Sequence, residues 1–456
     1  MKKILLLIAL AAIVLPARMV GQEKAVTTED LEEVKGALKS QEESAAEYRG
    51  YVDALRKIKI TGYIQPQWRI TSNMPSDYPS LQRFAIGSFN GGAFPDNSRN
   101  LFQVRRGRIK VNYDNALTQF VIQIDAIQTG FTTKDAYLSV TEPWTKSIGL
   151  QMGIFDRPFG YEISYSSSNR ETPERSRLFQ TLFPGERELG GKLFFTPQTG
   201  PLHFLHADVG VFNGSGPTGN EFDSFKDIIG RVGAQVPMDD IGAALDFDVS
   251  GYFGKVRNDT KFLYTPGDLP NGTKGYIVDS TASNKSAGVD RQYIGFDAQF
   301  YLDVPMIGGL ILRGEYIFGK QPSVSSTSVS PGVQPPTPIY KRDFAGYYVY
   351  LIQNIGNRNQ LVVKYDVYDP NSKVSGSDFT ATNTSGASGL TATDIKYTTW
   401  GFGLVHHWDD NVKFMLYYEL VQNEKLSQIT STASPLYLYS NDVKDNVFTF
   451  RVQYKF

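Results

Sequence analysis

Cysteine is absent from the 456 residues. That excludes disulfide scaffolds, thiolate zinc sites, cysteine nucleophiles and a lipid anchor on an N-terminal cysteine. A charge excess is also lacking: 46 Lys and Arg stand against 47 Asp and Glu, a formal net charge of −1. Composition therefore offers nothing for a nucleic-acid partner. Apart from one run near the start, there is no long apolar stretch, which excludes a bundle of transmembrane helices of about 20 residues each. Histidine is scarce, and its close pairs are His203/His206 and His406/His407. On a strand, positions three apart or adjacent point to opposite faces, so neither pair favours a joint metal site. No metal and no cofactor is expected. Enzyme motifs are missing as well: no histidine pair flanking Glu on a helix, no nucleophile elbow, no phosphate loop with its Lys. Gly214-Ser215-Gly216-Pro217-Thr218-Gly219 is glycine-rich but lacks that Lys and falls where a loop is expected. The chain does not read as an enzyme. What is abundant is aromatic residues, with 26 Tyr and 29 Phe, a load that argues against disorder.

The start is punctuated. Met1-Lys2-Lys3 is basic, Ile4 to Leu15 is apolar, and Pro16-Ala17 follow. This reads as a secretory signal peptide over 1–21, cleaved after Ala17 or after Gly21. Residues 22–57 then take a helical period. Leu31, Val34, Leu38, Gln41, Ala45, Tyr48, Val52 and Leu55 are spaced alternately three and four, an a/d seam, with Thr28 as N-cap. The segment either packs on its own chain or joins subunits as a short coiled coil.

From Ile58 the period changes to two. Phe120, Ile122 and Ile124 alternate with Gln119, Gln123 and Asp125; Leu245, Phe247 and Val249 alternate with Asp246, Asp248 and Ser250. Each such run is a ribbon with one apolar and one polar face. Their length suits strands of about 9–11 residues tilted across a bilayer. About sixteen runs are expected, an even number as bacterial barrels require. They begin near Ile58, Leu101, Leu117, Lys134, Ser147, Leu189, Leu202, Asp227, Ile241, Gln292, Gly309, Phe344, Gln360, Ile395, Asn411 and Asn446. Short turns such as Asp114-Asn115 and Gly356-Asn357-Arg358-Asn359 alternate with long polar segments such as 156–188, 255–290 and 369–394. That alternation marks an outer-membrane barrel with short periplasmic turns and long outer loops. The fold class expected is all-β: a transmembrane antiparallel β-barrel over 58–456, preceded by a short periplasmic helix, with both termini periplasmic. The Tyr and Phe stripes are expected on the lipid face and in the interface girdles.

The last strand carries its own signal. Phe448, Phe450, Val452, Tyr454 and Phe456 alternate with polar residues and end on the final aromatic. This resembles the assembly signal by which the barrel assembly machinery of a Gram-negative outer membrane recognises unfolded barrels.

The stretch from Phe102 to Gly191 resembles the phosphate-selective porin O and P family. It holds Arg105-Arg106-Gly107-Arg108, Asp135-Ala136-Tyr137, the run from Gly153 to Glu162, Glu174-Arg175-Ser176 and Arg187-Glu188-Leu189-Gly190. The resemblance implies a homotrimer of sixteen-stranded barrels in outer-membrane lipid, each narrowed by an inward-folded third outer loop, here 156–188. It implies passive diffusion of small anionic or polar solutes such as phosphate. The family's arginine ladder does not map residue by residue. Strand parity places Arg106, Arg108, Lys110, Arg231 and Arg313 in the lumen, and the loop adds Arg157, Arg170, Arg175, Arg177 and Arg187. These ten are the candidate pore-lining, anion-binding residues. Lumen and loop also carry many carboxylates, so a weak anion preference is expected, with Arg106 and Arg108 sensitive positions and Lys413, on a distant strand, less so. The alternative is a surface barrel whose outer loops bind a ligand or partner with little transport.

Overall fold

The computed structural model describes residues 28–72, 94–95, 98–443 and 445–456. The segment read as a signal peptide, 1–21, lies outside the described residues, as do 22–27, 73–93, 96–97 and 444. The chain divides between Lys57 and Ile58 into two units. The first holds one helix, α1 (Thr28–Arg56). Its surface carries local pairs, Lys35 with Glu32 at 3.0 Å and Arg56 with Asp53 at 3.3 Å, each worth a few tenths of a kcal/mol.

The second unit is a sheet closed on itself. Its strands are β1 (Ile58–Thr71), β2 (Asn100–Asn115), β3 (Thr118–Ile127), β4 (Gly130–Thr141), β5 (Ile148–Asp156), β6 (Arg187–Phe195), β7 (Leu205–Phe212), β8 (Asp227–Met238) and β9 (Ala243–Arg257). Then come β10 (Leu263–Asp268), β11 (Lys274–Asp279), β12 (Gly288–Leu302), β13 (Leu310–Ser323), β14 (Ile339–Ile355), β15 (Asn359–Asp369), β16 (Tyr397–His407), β17 (Val412–Asn423) and β18 (Val447–Lys455). β10 and β11 form a hairpin within one long loop, and Leu263 and Tyr264 pair with the first residues of β14. The other sixteen strands pair antiparallel, each with its chain neighbours, and β1 pairs with both β2 and β18. Closure leaves no open edge, which in lipid would carry unpaired backbone groups.

The alternation of the sequence becomes two surfaces. On β9, Phe247, Val249 and Phe253 are exposed, while Asp248, Ser250 and Tyr252 are buried inside. The same holds on β15, with Leu361 outward and Lys364 and Asp366 inward. This reverses the usual order of a soluble protein and suits a lipid surround. Among the described residues, no helix is long and apolar enough to cross a membrane. Tight turns take their shape locally. In the β4–β5 turn the Glu142 carboxylate accepts from the Thr145 hydroxyl and from the amides of Trp144, Thr145 and Ser147. These bonds, the Thr145 hydroxyl first, hold its carboxyl down at about 2. On the long-loop side three strands start well before the expected residue: β12 at Gly288 rather than Gln292, β14 at Ile339 rather than Phe344, and β4, whose connection is left the shortest. β4 starts at Gly130 rather than Lys134, so only Gln128 and Thr129 link it to β3. Gly130, at a φ of 133°, takes a conformation open to glycine.

The last residue completes the seam. Phe456 and Gly62 exchange backbone hydrogen bonds at 3.1 and 3.0 Å. A Cβ on Gly62 would lie 2.6 Å from the Phe456 ring and 2.5 Å from the Arg108 carbonyl. Deleting Phe456, or replacing Gly62→Val, is expected to lower the yield of folded, heat-modifiable barrel on gels. Deleting β18 is expected to abolish it. Normal yield from the chain lacking β18 overturns this account of closure.

Candidate functional site

The lumen is built from inward positions of the strands and from the long connection between β5 and β6. That connection turns inside. Ser176 caps a short helix, α2 (Arg177–Leu182), its hydroxyl accepting from the Phe179 amide. Leu178, Phe179, Leu182 and Phe183 are buried, together with Phe159 and Ile163. They pack on Phe212, Ile229, Tyr252, Tyr293, Phe344, Tyr348 and Tyr350 from the walls of β7 to β14. Phe183 lies 5.7 Å from Tyr293 and Phe179 6.2 Å from Tyr348, both edge-on, a favoured aromatic geometry. This corrects the expectation for the aromatic stripes. Many tyrosines face the lumen, because the loop supplies an apolar partner that strand periodicity does not show.

The opposite wall is polar. Gln65, Gln67 and Arg69 of β1, Arg106 and Arg108 of β2, Asp125 of β3, Lys413 and Glu419 of β17, and Thr449, Arg451 and Gln453 of β18 are all buried there. Glu174 of the loop is the hub. It accepts from Arg105 at 2.8 Å, Arg106 at 2.8 Å and Arg451 at 3.2 Å. Arg105 was not among the candidates, since strand parity sends it outward. A register shift between β1 and β2 at Gln65/Pro66 leaves it without a partner across the ladder. Such a bulge lets two successive arginines turn to one carboxylate.

The remaining candidates are placed as follows. Arg108 pairs with Asp125 at 3.1 Å, Arg157 with Glu188 at 2.7 Å and Arg231 with Asp208 at 3.0 Å. Arg187 pairs with Asp135 at 2.9 Å and with Asp156 at 3.2 Å. Arg175 pairs with Glu186 and holds the carbonyls of Glu162 and Ile163 at 2.6 and 2.8 Å. Arg313 pairs with Glu171 and lies 4.5 Å from the centre of the Tyr165 ring. Arg177 sits 3.9 Å over the Tyr397 ring. Lys110 lines a cavity of about 220 Å³ with Tyr63, Asp135, Ser166 and Lys455. Among the described residues, seven of the ten candidates thus have a carboxylate within ion-pair distance, and their fields are largely cancelled.

Among the described residues Lys110 and Arg170 have no such ion pair, and Arg170 is the more deeply buried of the two. It is 2% exposed, and none of its three guanidinium nitrogens has a hydrogen-bond partner among the described residues. Arg175 and Arg106 act on it as like charges, as does Arg451, opposed by Glu162 and Glu174. Lys413 is not remote from this region. Its Nζ donates to the carbonyls of Ser168 at 2.9 Å and Arg170 at 3.1 Å, so it holds the same loop. β17 and β2 are distant in sequence but both lie against the loop, so Lys413 is not a remote control position.

No protein-family model matches the chain, and no curated protein sequence matches it. Solved structures do. OprB of Pseudomonas putida, in a high-pH structure, superposes with a TM-score of 0.56 at 10% identity, covering 89% of this chain and 96% of that one. An anion-selective porin from Comamonas acidovorans gives a TM-score of 0.49 at 11% identity, covering 88% and 99%. Identities this low show the fold alone, a closed sixteen-stranded antiparallel barrel of the porin kind.

Proposed function

We infer that this protein is an outer-membrane porin, a passive channel for small hydrophilic solutes with a weak preference for anions, working as a homotrimer with both chain ends in the periplasm. The observation that carries the reading is the pairing of surfaces. An apolar outer face requires lipid, and a lumen lined with buried charge, narrowed by its own loop, has its use in passing polar solutes. The ion-paired state of most lumen arginines supports preference rather than strict selectivity. Arg170, whose guanidinium has no hydrogen-bond partner among the described residues, and the resemblance to phosphate-selective porins make phosphate the first anion to test.

Planar bilayers test it. The protein is expected to give conductance that rises with salt and, in a salt gradient, a reversal potential displaced slightly toward anions. Replacing Arg106→Ala and Arg108→Ala together removes two cations and uncovers charge on Glu174 and Asp125. The reversal potential is then expected to move toward cations. An unchanged value removes these two residues from the selectivity account. If the wild-type protein gives no conductance, the second reading gains: a barrel that presents its outer loops. A separate observation favours that alternative, because the loop residues Tyr264, Tyr276, Phe379, Leu390, Leu426 and Tyr439 pack into a buried cluster of their own.

A further inference from the structure

α1 runs without a break for 29 residues. Along it Leu31, Leu38, Tyr48, Val52 and Leu55 are 49%, 55%, 71%, 46% and 64% exposed. Within their own unit no described residue covers them. With Val34, Gln41 and Ala45 they fill the a and d positions of four heptads by sequence. Beyond this seam the large apolar residue is Tyr51, beside it at a g position. A stripe confined to a and d is the narrow seam of a coiled coil, whereas a helix lying on a globular core needs a face of about 100° or more. A membrane surface is a poor alternative. α1 carries eight acidic and four basic residues, and interfacial helices are rich in Lys and Arg. Gly36 and Gly50 both fall at f, the position farthest from the seam, and an added Cβ there meets nothing within 4 Å.

We propose that α1 joins the α1 helices of two other copies of this chain in a parallel three-stranded coiled coil. The proposal rests on the trimeric reading above and adds the element that would clamp it. Parallel order follows from the connection. Only Lys57 separates α1 from β1, and copies inserted side by side in one membrane enter their barrels in the same sense. The flanks agree. In a parallel coil a g residue meets the e residue of the next heptad on its neighbour. Ala37 then faces Glu42, Ser44 faces Arg49 and Tyr51 faces Arg56, with no like charges opposed. Gln41 and Ala45 weaken the middle layers, so the helices rely on tethering. Barrels side by side hold them at an effective concentration in the millimolar range, which brings weak helices together.

The absence of cysteine makes the test clean. Single-cysteine versions of the full chain, Leu38→Cys and Val52→Cys at a, and Gly36→Cys and Gly50→Cys at f, are oxidised in outer-membrane vesicles. The seam variants are expected to form covalent dimers at least tenfold faster than the f variants. In parallel, Gly36→Ala with Gly50→Ala is expected to raise the temperature at which the detergent-resistant oligomer dissociates, and Leu38→Asp with Val52→Asp to lower it. A trimer whose seam cysteines link no faster than the f cysteines overturns the coil and leaves the trimer standing. A monomer overturns both. The readout is a gel, with no channel assay, so its failure is separate from a failure of the porin reading.

Discussion

Replacing Arg157–Glu186 by an Asn-Gly turn is expected to raise single-channel conductance several-fold. Asp156 and Arg187 lie opposite each other in the β5–β6 ladder, so a two-residue hairpin turn can join them without disturbing the strands. The deleted segment fills the lumen with Phe159, Ile163, Leu178, Phe179, Leu182 and Phe183. Its loss opens cross-section on the apolar side and wets Tyr252, Tyr293 and Phe344. Each large buried side chain returned to water costs about 1.5–3 kcal/mol. The barrel is therefore expected to unfold at a lower temperature while keeping its circular dichroism, because the wall ladders do not run through the loop. Conductance at the wild-type level in a folded variant would show that the passage is limited elsewhere.

Glu174→Gln should act in the opposite electrical direction from the arginine substitutions. Gln keeps the size and removes the charge that three guanidinium groups share. Arg105, Arg106 and Arg451 are then left facing one another, with Arg170 nearby. Breaking a buried ion pair from one side costs about 3–5 kcal/mol. The expected outcome is a marked shift of the reversal potential toward anions, more flicker in single-channel records as the Pro173–Glu174 segment loosens, and a lower unfolding temperature. Arg170→Gln is the counterpart. It removes a buried cation that makes no hydrogen bond among the described residues, so the shift runs toward cations with little loss of stability, or a gain. If both variants keep the wild-type reversal potential, the cluster around Glu174 anchors the loop and takes no part in selecting ions.

Much of the barrel is legible in the sequence because its signal is local. A strand in a closed barrel alternates residue by residue between lipid and lumen, so Phe247, Asp248 and Val249 declare their faces without reference to any other strand. Turn chemistry punctuates the runs, and strand starts at Ile58, Asp227 and Asn359 fall within a residue of those read from the pattern. β4, β12 and β14 are the misses, starting at Gly130, Gly288 and Ile339 rather than Lys134, Gln292 and Phe344, and for β4 the reason is the same locality. Gly130 to Thr133 alternate poorly, and their strand conformation is imposed by pairing with β3.

The partners of the lumen side chains are another matter. Parity says that Arg106 and Arg313 point inward; it says nothing of Glu174 and Glu171, which reach them from a loop some seventy and a hundred and forty residues away. The bulge that turns Arg105 inward arises from the register of two strands, and no periodicity contains it. The path of the 157–186 segment decides which half of the lumen is packed with tyrosine and which keeps its charge. The sequence by itself determined the barrel, its strand count and its two faces, because those depend on the period of one strand. The tertiary structure alone decided which charges pair and which, like Arg170, have no ion pair among the described residues, because ion pairing depends on distances across the lumen.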